Sequence, residues 1–132
     1  MSAGQTDLEQ LVRSMGPKLL EGVYVFCSVS PDRLAELAAH ATLVFREQEG
    51  LTIVLPKATA ERAGLDGAFP SRQITLTVHS SLDAVGFLAT ITSALAQAGI
   101  SVNAVSAMYH DHLFVPVDRA KQAMDILSSL TK

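Results

Sequence analysis

The order of apolar and polar positions in the first half of the chain predicts alternating helices and strands. Leu8, Leu11 and Met15 recur at helical intervals, whereas the run from Val23 to Val29 is apolar and strand-like. In sequence order, the predicted elements are a helix over residues 8–15, a strand over 23–29, a helix from 31 to about 40, a hairpin over 43–55 and a short helix over 57–63.

Polar residues and glycines indicate where these elements begin and end. Thr6 and Glu9 have the spacing of a helical capping box, and Ser30 precedes a proline at the first position of the next helix. Gly64 ends the short helix, and the glycine, proline and serine residues between Gly64 and Ser71 are typical of a linker. The first structural unit is therefore expected to end near residue 70.

The second half repeats the same order of elements. Ile74, Leu76 and Val78 alternate with polar residues as in a half-buried strand, and apolar residues from Val85 to Ala96 keep helical spacing. The elements that follow are a strand over 102–109, a turn near His110-Asp111, a strand over 113–117 and a helix capped by Asp118. Both faces of the 102–109 strand carry apolar residues, which predicts an interface on the second face.

This repeated strand-helix-strand-strand-helix order predicts an α+β fold of ferredoxin-like βαββαβ units in tandem, with helices on one face of antiparallel sheets. We expect an N-terminal unit over 1–70 and a C-terminal unit over 71–132. Each unit lacks one closing strand in its own sequence. Because an unpaired edge invites association, we expect strands to be exchanged between the two halves or between two chains.

Composition narrows the class of protein. Hydrophobic residues make up 48% of the chain and charged residues 17%, so a packed core and self-association are expected. The net charge is -3, and the basic residues are scattered, which is untypical of nucleic-acid binding. The polar start and the absence of a long apolar run predict a cytoplasmic protein without membrane contact. The single cysteine, Cys27, is predicted to be buried and unreactive.

Several segments resemble the ACT-domain family. The first is the stretch from Val78 to Ala89, followed by Ala98-Gly99-Ile100-Ser101-Val102, in which an aspartate precedes the glycine that opens a helix. Together with residues 45–51 and 109–116, these segments make nearly the whole chain from Leu8 onward similar to small, mostly uncharacterised bacterial tandem-ACT proteins. The resemblance implies a regulatory fold that binds a free amino acid where ACT units meet, through the loop between the first strand and the first helix.

The loop in question runs from Ser80 to Gly86. The N–H groups at the start of a helix attract a carboxylate, and a glycine lets that carboxylate come close to the backbone. Asp83 is a candidate for the ligand ammonium, although it is equally a candidate helix cap. On the same reasoning, Gly86→Val would block the site and leave the fold nearly intact. The candidate ligand-binding residues are Ser80, Ser81, Leu82, Asp83, Val85 and Gly86, with Ser30 and Asp32 of the first half ranked second.

Other combinations of residues do not predict a catalytic or metal site. His110, Asp111 and His112 are expected to form a polar turn in which Asp111 makes the bend and the two imidazoles diverge, so no metal is expected. His79, Ser81 and Asp83 are too close in sequence for a catalytic triad. Neighbouring Glu47 and Glu49 are expected to be solvated.

We therefore predict a non-catalytic regulatory module that needs no cofactor, binds a small molecule and forms a homo-oligomer. The alternative is a structural dimerisation or protein-interaction module with a vestigial pocket. The serine-rich loop that opens on a glycine favours the first function.

Overall fold

The computed structural model describes residues 6–132, whose contacts form two units. We call Gly22–Ser71 the first unit, and the residues up to Glu21 together with Arg72–Lys132 the second unit. Residues 6–21 thus pack with the second half of the chain. The division into an N-terminal ACT-like unit over 1–70 and a C-terminal unit over 71–132 stays a prediction.

The first unit contains an antiparallel sheet, whose strands are β2 Tyr24–Val29, β3 Leu43–Glu47, β4 Gly50–Pro56 and the first part of β5 Ala68–Leu76. The strand order is β3-β4-β2-β5. Strand β5 begins within this unit, where Ser71 pairs with Tyr24 and Ala68 with Phe26. The predicted linker is therefore wrong from Ala68 onward, because these residues supply the closing strand that the first unit lacked.

Short helical segments cover the core of the first unit. Residues 31–40 are helical as expected, but only Leu34–Leu37 (α2) is α-helical, between 3-10 turns at Pro31–Arg33 and Ala38–His40. Helix α3 spans Lys57–Arg62 as expected. The buried core residues are Val25, Cys27, Val29, Leu37, Leu51, Ile53, Leu55 and Ala60. Burial raises the pKa of the Cys27 thiol, as does the charge of Asp66, which disfavours the reactive thiolate.

The second unit contains an antiparallel sheet with the strand order β1-β5-β7-β6. Its strands are β1 Pro17–Leu19, the second part of β5, β6 Asn103–Ser106 and β7 Asp111–Pro116. Strand β1 lies along β5, with Leu19 opposite Ile74 and Pro17 opposite Leu76. The closing strand of each unit thus comes from the other half of the same chain. Of the two alternatives that the sequence left open, this is exchange between the halves and not between two chains.

Three helices complete the second unit: α1 Leu8–Arg13, α4 Phe87–Gln97 and α5 Ala120–Leu130. Two predicted caps are wrong. Asp7, not Thr6, caps α1, since its carboxylate accepts the Gln10 N–H at 2.8 Å. Asp118 does not cap α5, because it lies inside a 3-10 turn at Val117–Arg119 that precedes this helix.

The core of the second unit fills the space between its helices and its sheet. Leu11 and Met15 belong to this core although they lie at the start of the chain. The other buried members are Ile74, Leu76, Phe87, Ile91, Leu95, Ile100, Leu113, Val115, Ala120, Ala123 and Leu127. Over residues 6–132, no helix is long and apolar enough to cross a membrane.

Candidate functional site

The loop between β5 and α4 is folded by its own hydrogen bonds. Ser81 is central to it, because its hydroxyl accepts the Asp83 N–H at 3.0 Å and its carbonyl accepts the Ala84 N–H at 3.0 Å. Gly86 then occupies the N-cap position of α4 in the left-handed region, with φ 90°. Its carbonyl accepts the first helical hydrogen bond, from Thr90 N–H at 2.9 Å. The cap interpretation of Asp83 is therefore wrong, since the N-cap, Gly86, lies three residues later and the helix begins at Phe87.

A cavity of about 130 Å³ lies at the start of α4. Loop residues form one wall and the first turn of the helix another, while Ser106 of β6 and Asp111 of β7 close the side toward the sheet. The lining residues are Ser80, Ser81, Leu82, Ala84, Gly86, Phe87, Leu88, Ala89, Ser106 and Asp111. The cavity is partly open to solvent, and a space of this size suits a small organic molecule.

Asp111 is the residue of this cavity that the sequence interpretation misplaced. It was expected to make the bend of a hairpin, but the turn lies at residues 107–110, where Ala107 N–H donates to His110 O at 3.0 Å. Asp111 is instead the first residue of β7 and is only 5% exposed. Its Oδ2 accepts a hydrogen bond from the Ser80 hydroxyl at 2.8 Å.

A signal for this position existed in the sequence. Residues two apart in a strand point to the same face, so Asp111 shares its face with Leu113 and Val115. Both of those are fully buried in the core of the second unit. Extending the strand by two residues toward the N-terminus would have placed a carboxylate at the end of a buried apolar row.

The structure brings together some of the candidate ligand-binding residues. Ser80, Ser81, Leu82 and Gly86 line the cavity. Val85 is 83% exposed, and Asp83 is also exposed; neither lies in the cavity wall. Their role in binding stays a prediction.

The second-ranked loop has a different arrangement. Ser30 and Asp32 are exposed, and the Ser30 hydroxyl donates to the Asp32 carboxylate. Ser30 makes no capping bond to the backbone, and the α-helix that follows spans only four residues. A short, broken helix offers fewer aligned N–H groups than α4 does. Binding there also stays a prediction.

Exposed apolar side chains lie in the segments that border the cavity and in α1, and we call them the apolar rim. Leu82 and Val85 belong to the loop, Met108 and Tyr109 to the turn before Asp111, and Leu8 to α1. Leu8 contacts the position of Gly86, because a Cβ placed there would lie 3.5 Å from Leu8 Cδ2. Clustered exposed apolar residues of this kind are typical of an interaction surface.

Histidines flank Asp111 but do not form a metal site in the described part of the chain, where no group of three or more suitable side chains converges. His110 Nδ1 lies 3.2 Å from the Val78 carbonyl, to which it donates. His112 Nδ1 lies 3.3 Å from Gln73 Nε2 and 3.0 Å from Thr75 Oγ1. Because an amide nitrogen only donates, Nδ1 of His112 is the acceptor. Burial lowers the pKa of His112, and His110 adds to this, which favours the neutral ring.

The chain is similar in sequence to a known family over nearly its whole length. Two family profiles, each described as an ACT domain, match residues 3–72 and 68–129. No curated protein matches the chain.

Solved structures resemble this one. A Vibrio cholerae protein of unknown function, described as a possible transport protein, is 42% identical with a TM-score of 0.84, covering 95% of this chain and 96% of its own. An Agrobacterium tumefaciens protein is 20% identical with a TM-score of 0.68, over 88% of each chain. The ligand-free regulatory subunit of aspartate kinase from Thermus thermophilus is 12% identical with a TM-score of 0.69, over 89% of this chain and 97% of its own. The similarity to the Agrobacterium tumefaciens and Thermus thermophilus proteins shows a shared fold and nothing more.

Proposed function

This chain belongs to the ACT-domain family, and from that premise we propose that it is a regulatory module that binds a free amino acid in the cavity at the start of α4. The observation that carries the proposal is the cavity itself, in which serine side chains and a buried carboxylate converge on a helix N-terminus. ACT domains are ligand-binding regulatory units without catalysis of their own, so we propose no reaction for this protein.

The helix N-terminus suits the carboxylate of an amino acid. Helix α4 spans 11 residues, so the first N–H groups of the helix and its dipole favour a negative group at that end. Gly86 has no side chain to cover these N–H groups, and the Ser80 and Ser81 hydroxyls lie in the adjacent wall. A small carboxylic acid is therefore the class of ligand that this end of the cavity favours.

The structural relatives support a regulatory role. Two of them are regulatory subunits of aspartate kinase, and an E. coli aspartokinase III structure was determined in complex with aspartate and ADP. That enzyme structure is 13% identical to this chain, which spans 32% of its length. The support concerns the kind of domain and leaves the choice of amino acid to experiment.

We further propose that the protein self-associates through the apolar rim. Five large apolar side chains are exposed in α1 and in the segments that border the cavity, which is more than scattered surface residues explain. Light scattering at micromolar concentration is expected to give at least a dimer, and replacing Val85 and Tyr109 together by serine is expected to weaken it. Exchanging Phe45, an exposed residue of the first unit, for serine serves as the matched control. A monomeric parent protein would contradict this part of the proposal.

The binding proposal is tested by thermal stability in the presence of each common amino acid. A ligand that binds only the folded state, present at about 100 times its dissociation constant, is expected to stabilise the protein by roughly 2.7 kcal/mol. The melting temperature should rise for one amino acid or a small group, and titration calorimetry should give a saturable isotherm.

A structural module with a vestigial pocket is the competing function. It predicts self-association with no change in melting temperature for any amino acid. That result, combined with a stable dimer, would replace ligand binding by dimerisation as the function.

A further inference from the structure

We propose that the carboxylate of Asp111 binds the ammonium group of the ligand, and that the ligand is a small zwitterion with an uncharged side chain. This inference rests on the proposed function and goes beyond it, since it assigns a residue to the amine and limits the size of the ligand. Asp111 was not among the residues that the sequence pointed to, and only its position in the folded chain brings it to the cavity.

The position of Asp111 at the cavity favours a cation beside its carboxylate. A carboxylate removed from water is destabilised unless charges or several donors compensate it. Within the described residues, the hydrogen bond to the Asp111 side chain comes from the Ser80 hydroxyl alone, and the ion pairs join other residues. The Ser80 hydroxyl bonds Oδ2, and no fully buried side-chain oxygen of the described residues lacks a partner, so the unbonded Oδ1 is accessible. Because Asp111 lines the cavity, a donor in the cavity can reach this oxygen.

Ser80 fixes the direction of this carboxylate. The hydroxyl is itself buried, with 6% exposure, and holds Oδ2 at 2.8 Å. A carboxylate held on one oxygen presents the other in a defined place, so a ligand spends little free energy on orienting it. We therefore assign Ser80 as a positioning residue and Asp111 as the residue that contacts the amine.

The two polar ends of the cavity match the two charges of an amino acid. The helix N-terminus at Gly86 favours an anion, and Asp111 of β7 favours a cation. Both line a space of about 130 Å³, and its remaining lining is largely small or apolar. This space favours a small side chain beside the amine and the carboxylate, and a charged side chain finds no partner of opposite charge other than Asp111 in the lining.

Asp83 is the competing residue for the amine. Its carboxylate is exposed and is not part of the cavity wall, so water screens its attraction for a ligand cation. Asp111 is buried and therefore less screened. The two assignments predict opposite results for matched amide variants.

The experiment uses pairs of small acids that differ only in the amine: glycine and glycolate, L-alanine and L-lactate, L-serine and L-glycerate. Titration calorimetry of the wild-type protein is expected to show at least one of these amino acids binding on the order of 10- to 100-fold more tightly than its hydroxy acid. This comparison needs no variant. Equal affinity within a pair, or binding of larger amino acids only, would overturn the inference and leave the proposed function standing. If no amino acid and no hydroxy acid binds, both the inference about Asp111 and the proposed function are contradicted.

Variants then identify the residue. Asp111→Asn is expected to remove most of the preference for the amino acid while leaving the affinity of its hydroxy acid within about threefold, whereas Asp83→Asn is expected to change neither. Ser80→Ala keeps the charge and is expected to lose less affinity than Asp111→Asn. The unliganded melting temperature of Asp111→Asn is not expected to fall, because the amide removes a buried charge and keeps the shape. If Asp83→Asn loses the preference for the amino acid over its hydroxy acid and Asp111→Asn keeps it, the assignment of Asp111 to the ligand amine is refuted.

Discussion

Leu76→Asp is expected to unfold the protein, with a loss of about 4 kcal/mol or more in the free energy of unfolding. Leu76 is fully buried in the core of the second unit, where it lies in β5 beside β1. An aspartate there would place an uncompensated charge among apolar side chains, and it would also remove a large core residue. Urea denaturation followed by circular dichroism measures the loss.

Thr75→Asp is the matched control, one residue away on the other face of the same strand. Thr75 is half-buried, is paired with Lys18 across the strands and lies 3.0 Å from His112 Nδ1. The new carboxylate would face a lysine and solvent, so we expect a loss of about 1 kcal/mol. Similar denaturation midpoints for the two variants would show that the assignment of faces in β5 is wrong.

Gly86→Val is expected to lower the free energy of unfolding by about 2–3 kcal/mol and to abolish ligand-induced stabilisation. Gly86 has φ 90°, a conformation that is strained for β-branched side chains. The sequence-based expectation that this variant keeps its fold nearly intact did not include this strain, because it treated residue 86 as an ordinary helical position. Thermal melts with and without amino acids measure both effects.

Ala84→Val separates the strain from the obstruction of the cavity. Ala84 lines the same cavity, and its φ is not positive. The added methyl groups are expected to weaken binding with a smaller change in stability than in Gly86→Val. If Gly86→Val melts like the parent, the backbone at this position relaxes to a common conformation and the strain argument fails.

The strands and helices of this fold could be predicted because their signal is local. Alternation from Ile74 to Leu76 and the helical spacing of Leu88, Ile91 and Leu95 describe which side chains avoid water, and the observed burial follows that pattern. The start of the predicted spacing at Val85 is wrong, because Val85 is 83% exposed and lies before the helix. The left-handed glycines at the helix ends, such as Gly99 with φ 72°, were predictable for the same reason. A closing strand has no such signal when it is only three residues long, as β1 is.

The candidate site was predictable in part. The serine-rich loop and its glycine are contiguous in sequence, so their place at the start of α4 followed from the helix that comes after them. Asp111 lies 31 residues from Ser80 along the chain, and nothing local connects the two. The turn interpretation of Asp111 was reasonable on propensity and wrong because the hairpin turns earlier, at residues 107–110.

By itself, the sequence determined the type and order of elements, the apolar faces, the family and the loop that opens α4, since each depends on residues within a few positions of one another. Tertiary structure alone decided that β1 completes the sheet of the second unit, that the supposed linker is part of β5, and that Asp111 reaches Ser80. Those features depend on which distant segments pair across a sheet. Strand pairing is chosen by the total burial and hydrogen bonding of the folded chain, so it cannot be read from either segment alone.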